Sequence, residues 1–153
     1  MGAYANDDGG TDAGEVYVYH GSSSGLSSSP DWSSQGEAAN DEFGVSVASA
    51  GDVNGDGYDD VLVGALLNDN NGGNDAGRAY LYSYGLTVSF SKGEDWSDTG
   101  EAASDYFGYS VASAGDVNGD GYDDIIVGAY LNDGGGTEAG EAYVYYGSSG
   151  GLS

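Results

Sequence analysis

Two nine-residue stretches of this 153-residue chain gather acidic oxygen at a spacing that a simple turn does not require. They are Asp52-Val53-Asn54-Gly55-Asp56-Gly57-Tyr58-Asp59-Asp60 and Asp116-Val117-Asn118-Gly119-Asp120-Gly121-Tyr122-Asp123-Asp124. In each, side-chain oxygens stand at the first, third, fifth and ninth positions. Glycine at the sixth allows a sharp turn, and the seventh residue can offer its backbone carbonyl, as in the first half of an EF-hand loop. A hard cation seeking six to eight oxygens at about 2.3 to 2.6 Å is satisfied by such a set, and the stricter octahedron of magnesium less well. The expected calcium ligands are Asp52, Asn54, Asp56, Tyr58 and Asp60, and again Asp116, Asn118, Asp120, Tyr122 and Asp124. Asn-Gly and Asp-Gly by themselves make hairpin turns, which accounts for the glycines. It does not account for Asp52, Asp56 and Asp60 together, because three converging carboxylates repel one another unless a cation sits among them. Asp59 and Asp123, at the eighth position, are expected to point into solvent.

The elements that must carry these loops repeat with them. Asp41-Glu42-Phe43-Gly44-Val45-Ser46-Val47 recurs as Asp105-Tyr106-Phe107-Gly108-Tyr109-Ser110-Val111, 64 residues on. Asp31-Trp32 recurs as Asp95-Trp96 at the same offset, and Gly36-Glu37-Ala38-Ala39 as Gly100-Glu101-Ala102-Ala103. A third element occurs three times, beginning at Gly14-Glu15-Val16, Gly77-Arg78-Ala79 and Gly140-Glu141-Ala142. Gly2-Ala3, Gly64-Ala65 and Gly128-Ala129 mark matching points, which divides the single domain 1–153 into repeats 2–63 and 64–127 and a partial repeat 128–153. Units of this kind bury their faces only against their neighbours.

Each unit reads as four short antiparallel strands. Three are predicted from Phe43 to Ala50, Asp60 to Ala65 and Arg78 to Tyr84, and a weak fourth around Leu86 to Ser89 or near Trp96. The Val-Tyr-Val-Tyr pattern puts apolar surface on both faces of its strand, which suits a sheet held between two others. Small residues after Phe43 suit a crowded place near an axis. The fold class is therefore all-β, a β-propeller with about two and a half blades per chain. Periods of roughly 40 to 50 residues in other propeller repeats, and shorter ones in β-helices, fit less well.

Composition narrows the partners. The 26 acidic residues against 2 basic ones give a formal net charge of -24, which opposes nucleic acid and anionic membrane surfaces and makes cations the natural partners. The same acidity suits a salt-rich habitat. With no cysteine, disulfides and thiolate metal sites are excluded. No stretch approaches the roughly 20 apolar residues of a membrane span, and no basic region followed by an apolar segment opens the chain. Because the chain opens in the middle of a repeat, an export signal is expected upstream of it.

These residues resemble FG-GAP repeats, the blades of the integrin alpha-subunit propeller. The two halves of that name stand as Phe43-Gly44 and Phe107-Gly108, and as Gly64-Ala65-Leu66 and Gly128-Ala129-Tyr130, where Leu66 and Tyr130 replace the proline. The resemblance covers essentially the whole chain. It implies a ring with calcium in the inter-strand loops, held by the ten residues named above, serving adhesion or protein recognition outside the cell. The start, 2–27, resembles the end, 128–153, which suggests a homo-oligomer of about three chains, the first strands of one copy completing the last blade of the next.

Catalysis is not expected. His20 is the sole histidine, with Ser83 and Tyr146 at its place in the other copies, and the acids of the loops are better used on calcium than as glycosidase pairs. Trp32 and Trp96 read first as packing residues between blades. Their alternative use as sugar platforms keeps a lectin with a glycan ligand open beside the scaffold, as does a non-catalytic accessory segment of a larger enzyme.

Overall fold

A computed structural model describes residues 1–69, 72–85, 89–90 and 93–153. Among the described residues the secondary structure is all strand and turn. The strands are β1 (Gly2–Ala3), β2 (Glu15–Val18), β3 (Gly21–Ser22), β4 (Gly25–Leu26), β5 (Trp32–Gln35), β6 (Ser46–Gly51) and β7 (Asp60–Ala65). They continue as β8 (Arg78–Tyr82), β9 (Tyr84–Gly85), β10 (Ser89–Phe90), β11 (Trp96–Thr99), β12 (Phe107–Gly115), β13 (Asp124–Ala129) and β14 (Glu141–Tyr145).

Three antiparallel sheets follow one another along the chain. The first has the order β1-β2-β5, the second β11-β8-β7-β6 and the third β12-β13-β14, while β3-β4 and β9-β10 form small two-stranded sheets. The expected fourth strand is thus β11 at Trp96, paired with β8 from Trp96 opposite Leu81 to Thr99 opposite Arg78. The alternative near Leu86 lies outside the described residues, and Ser89–Phe90 pairs instead with Tyr84–Gly85. The sheets do not close into a ring. The first strands of the chain, expected to complete a neighbour's last blade, are already joined in a sheet of their own.

The middle sheet is apolar on both sides, as its alternating pattern demands. Val63, Ala65, Tyr80 and Tyr82 pack with Val16, Val18, Trp32 and Phe43 toward the first sheet. Val53, Leu62, Ala79 and Leu81 pack with Phe107, Ile125, Val127, Ala129, Tyr143 and Tyr145 toward the third. Trp32 lies 4.9 Å from Tyr82 and 5.1 Å from Phe90, and Trp96 lies 4.7 Å from Tyr145, so both tryptophans pack between sheets.

The close stacking rests on paired glycines. A Cβ on Gly64 would collide with the carbonyl oxygen of Gly108, and one on Gly2 with that of Gly44. The Gly44 N–H donates to the Gly64 carbonyl at 2.9 Å, and the Ser46 hydroxyl to the Gly108 carbonyl at 2.7 Å. The glycine that follows Phe at the start of one sheet therefore meets the glycine that precedes Ala in the sheet before it.

Candidate metal centre

The loops joining β6 to β7 and β12 to β13 are closed by their own carboxylates. Asp52 accepts the Asp56 N–H on Oδ1 at 3.0 Å and the Gly57 N–H on Oδ2 at 2.8 Å. The Asn54 side-chain carbonyl accepts the Asp56 N–H at 2.9 Å, and Asp56 Oδ1 accepts the Tyr58 N–H at 3.0 Å. The second loop repeats this set. Asp116 accepts the Asp120 and Gly121 amides at 3.0 and 2.9 Å, Asn118 accepts that of Asp120 at 2.9 Å, and Asp120 accepts that of Tyr122 at 3.0 Å. Gly57 and Gly121 sit at φ of 91° and 94°, a region costly for side-chain-bearing residues, and make the turn that curls each loop.

The ninth residue closes each loop from inside the fold. Asp60 and Asp124 are fully buried at the first positions of β7 and β13. Asp60 accepts the Val53 N–H at 3.2 Å and the Tyr84 N–H at 3.1 Å, and Asp124 accepts those of Val117 at 2.8 Å and Gly147 at 2.9 Å. Burial, opposed by those amides and reinforced by the charges of Asp56 and Asp52, pushes the Asp60 carboxyl up to about 6.

In this arrangement no group of three or more His, Cys, Asp or Glu side chains stands at metal-binding distance among the described residues. The expected ligands share a loop, yet their carboxylates turn toward backbone amides. The donor set nevertheless fits a hard cation. It is all oxygen, and each carboxylate retains lone pairs beyond those its amides occupy. The basic Arg78 is engaged elsewhere, with Glu37 at 3.1 Å and Glu94 at 3.5 Å. A buried carboxylate beside two others, with no cationic side chain in its loop, is the electrostatic arrangement that a divalent ion relieves.

One expectation is corrected. Asp59 is exposed as anticipated, but Asp123 is half-buried and reaches across to the preceding loop, where its Oδ2 accepts the Asp52 N–H at 2.9 Å. Sequence spacing places the eighth residue outside its own loop and says nothing of the neighbouring one.

A second cluster escaped the sequence reading. Buried Asn68 donates through Nδ2 to Asp41 at 3.0 Å and to the Tyr80 hydroxyl at 3.2 Å, and Asn132 does the same to Asp105 at 3.2 Å and Tyr143 at 3.1 Å. Each pins the loop after the second strand to the segment that precedes the first. The signal was present in the recurrence of Asn-Asp at 6–7, 68–69 and 132–133. His20, in the segment between β2 and β3, has its Nδ1 3.8 Å from Asp31 and its ring edge-on to Tyr84.

Comparison with known proteins decides the family. The FG-GAP repeat model matches residues 43–82 and 107–145. The chain belongs to the FG-GAP repeat family. Among its relatives are integrin alpha-4 of Xenopus laevis, 33% identical over 126 residues, which are 78% of this chain and 12% of that protein. Integrin alpha-3 of Mus musculus is 38% identical over 110 residues, 72% of this chain and 10% of that one. Integrin alpha-11 of Homo sapiens is 35% identical over 126 residues, 80% and 10% respectively. This FG-GAP chain spans about a tenth of the length of the curated relatives it matches. Among the described residues no helix is long and apolar enough to cross a membrane.

Proposed function

We propose that this FG-GAP segment is a calcium-stabilised propeller scaffold for adhesion or protein recognition outside the cell, in keeping with its integrin alpha relatives, and that it is not an enzyme. The observation that carries the calcium reading is the pair of loops whose first, third, fifth and ninth side chains repeat one hydrogen-bonding pattern, each ending on a buried aspartate. Asp52, Asn54, Asp56 and Asp60 would hold one ion with the Tyr58 carbonyl, and Asp116, Asn118, Asp120 and Asp124 another with that of Tyr122. The ions would staple the strands that each loop joins, in a chain that has no disulfide to do so.

Copies then associate head to tail through sheet faces. Val53, Leu62 and Leu81 are 0%, 0% and 1% exposed against the third sheet, whereas their repeat equivalents Val117, Ile126 and Val144 are 57%, 37% and 44% exposed. The first sheet of a second copy presents the face that fits there, since Val63, Ala65 and Tyr80 of the middle sheet have Met1, Ala3 and Tyr17 as counterparts. With three sheets in each chain, two copies supply six, inside the four to eight blades typical of propellers. This reading takes two copies, where counting the partial ends as fractions of a blade leads to about three.

Isothermal titration with calcium, paired with sedimentation velocity in calcium and in chelator, tests both parts. Two bound ions and a calcium-dependent dimer support the reading. A chain that binds no calcium and melts alike in chelator removes it.

A further inference from the structure

The two aspartate loops touch, and they do so through the residue that sequence spacing left without a role. The Asp52 N–H donates to Asp123 Oδ2 at 2.9 Å, and the Asp123 N–H donates back to the Asp52 carbonyl at 3.2 Å. Around this exchange the surfaces are fitted. A side chain on Gly51 would collide with the Asp123 carboxylate, and a Cβ on Gly55 would lie 2.6 Å from Cε1 of Tyr122. At the equivalent glycines of the second loop, Gly115 and Gly119, a Cβ meets open space.

We propose that Asp123 is a positioning residue that couples the two loops, so that a cation in the 116–124 loop raises the affinity of the 52–60 loop and the reverse. This rests on the calcium reading above. The route is short. Asp123 stands between Tyr122 and Asp124, the seventh and ninth residues of its own loop, and an ion held there fixes the backbone on both sides of it. The carboxylate so fixed holds the amide of Asp52, the first residue of the other loop, whose two oxygens each accept one amide, from Asp56 and Gly57. Ordering one loop thereby prepays part of the ordering of the other, and the coupling is reciprocal. Asp59, the repeat equivalent of Asp123, is exposed beside the first sheet, where no such loop stands among the described residues. The exchange holds the 52–60 loop at its first residue and the 116–124 loop at its eighth, so the two ions bind with unequal affinity.

Calcium titration calorimetry on wild type, Asp123→Ala and Asp123→Asn tests this. Wild type is expected to show two ions of unequal affinity. Asp123→Ala should weaken the tighter one about tenfold, and Asp123→Asn, which keeps an acceptor oxygen, should restore most of the loss. An unchanged Ala variant overturns the coupling while leaving calcium binding intact, and an Asn variant as weak as Ala overturns it in favour of a plain charge effect. Wild type that takes up no calcium defeats the metal reading itself and the coupling with it. Should Asp123→Ala not fold, hydrogen exchange at the Asp52 amide in Asp56→Ala, which cripples the first loop, decides the matter. Calcium that slows exchange there acts through the second loop and supports the clamp, and exchange indifferent to calcium overturns it.

Discussion

Leu62 and Ile126 occupy the same place in successive repeats, one fully buried between sheets and the other 37% exposed on the open face of the third sheet. Truncating each to alanine isolates what inter-sheet burial contributes. Leu62→Ala removes a side chain packed in the cluster that includes Val53, Leu81, Ile125 and Phe107, and leaves a cavity that rigid neighbouring strands cannot fill. The expected cost is about 3 kcal/mol, within the range of roughly 2 to 5 for such changes. Ile126→Ala forfeits only partial burial and creates no enclosed void, so about 1 kcal/mol or less is expected. With a urea dependence of about 1.5 kcal/mol per molar, the two midpoints should fall by about 2 M and by less than about 0.7 M. Trp96, packed on Tyr145 across the same interface, reports the transition by fluorescence. Equal losses in dilute protein would refute the order of sheets described above. A cost at Ile126 that grows with protein concentration is the outcome required if a second copy covers that face, because its burial then depends on association.

Further outcomes follow from single residues. Gly64→Ala should lower the melting temperature sharply, by an amount greater than that of Gly128→Ala, since only Gly64 faces the Gly108 carbonyl; similar shifts in calorimetry would deny the close approach. Asn68→Ala strips buried Asp41 and the Tyr80 hydroxyl of a shared donor and should cost about 1 to 3 kcal/mol by urea unfolding, against a few tenths for an exposed asparagine. In chelator, Asp60 is pushed up to about 6 by burial while the unfolded chain titrates near 3.8, so the folded state binds the proton first. The metal-free fold should therefore gain stability as pH falls from about 7 to about 4, and Asp60→Asn should flatten that rise in a series of melting curves. Asp52→Ala and Asp116→Ala should each lower the melting temperature in calcium by several degrees more than in chelator.

The sequence by itself determined the period, the strand-forming runs, the acidic loops and the family, because each is written in local residue types. Val61-Leu62-Val63 must be a strand buried on both faces, and the aspartate spacing must curl about its glycines whatever lies beyond. It also placed Trp32 and Trp96 between blades. What it left open depends on which residues meet across sheets. Periodicity fixes the length of a repeat but not where a sheet begins, and the sheets run from β6 to β11 and from β12 to β14 rather than from glycine to glycine. The fourth strand, with its weak pattern, was decided by pairing to β8. The contact of Gly64 with Gly108, the pin of Asn68 on Asp41, and the reach of Asp123 to Asp52 join residues 44, 27 and 71 positions apart. The contacts of Gly64 and of Asp123 exist only once neighbouring sheets have stacked, which is why a residue that looked solvated from its own loop is bonded to the preceding one.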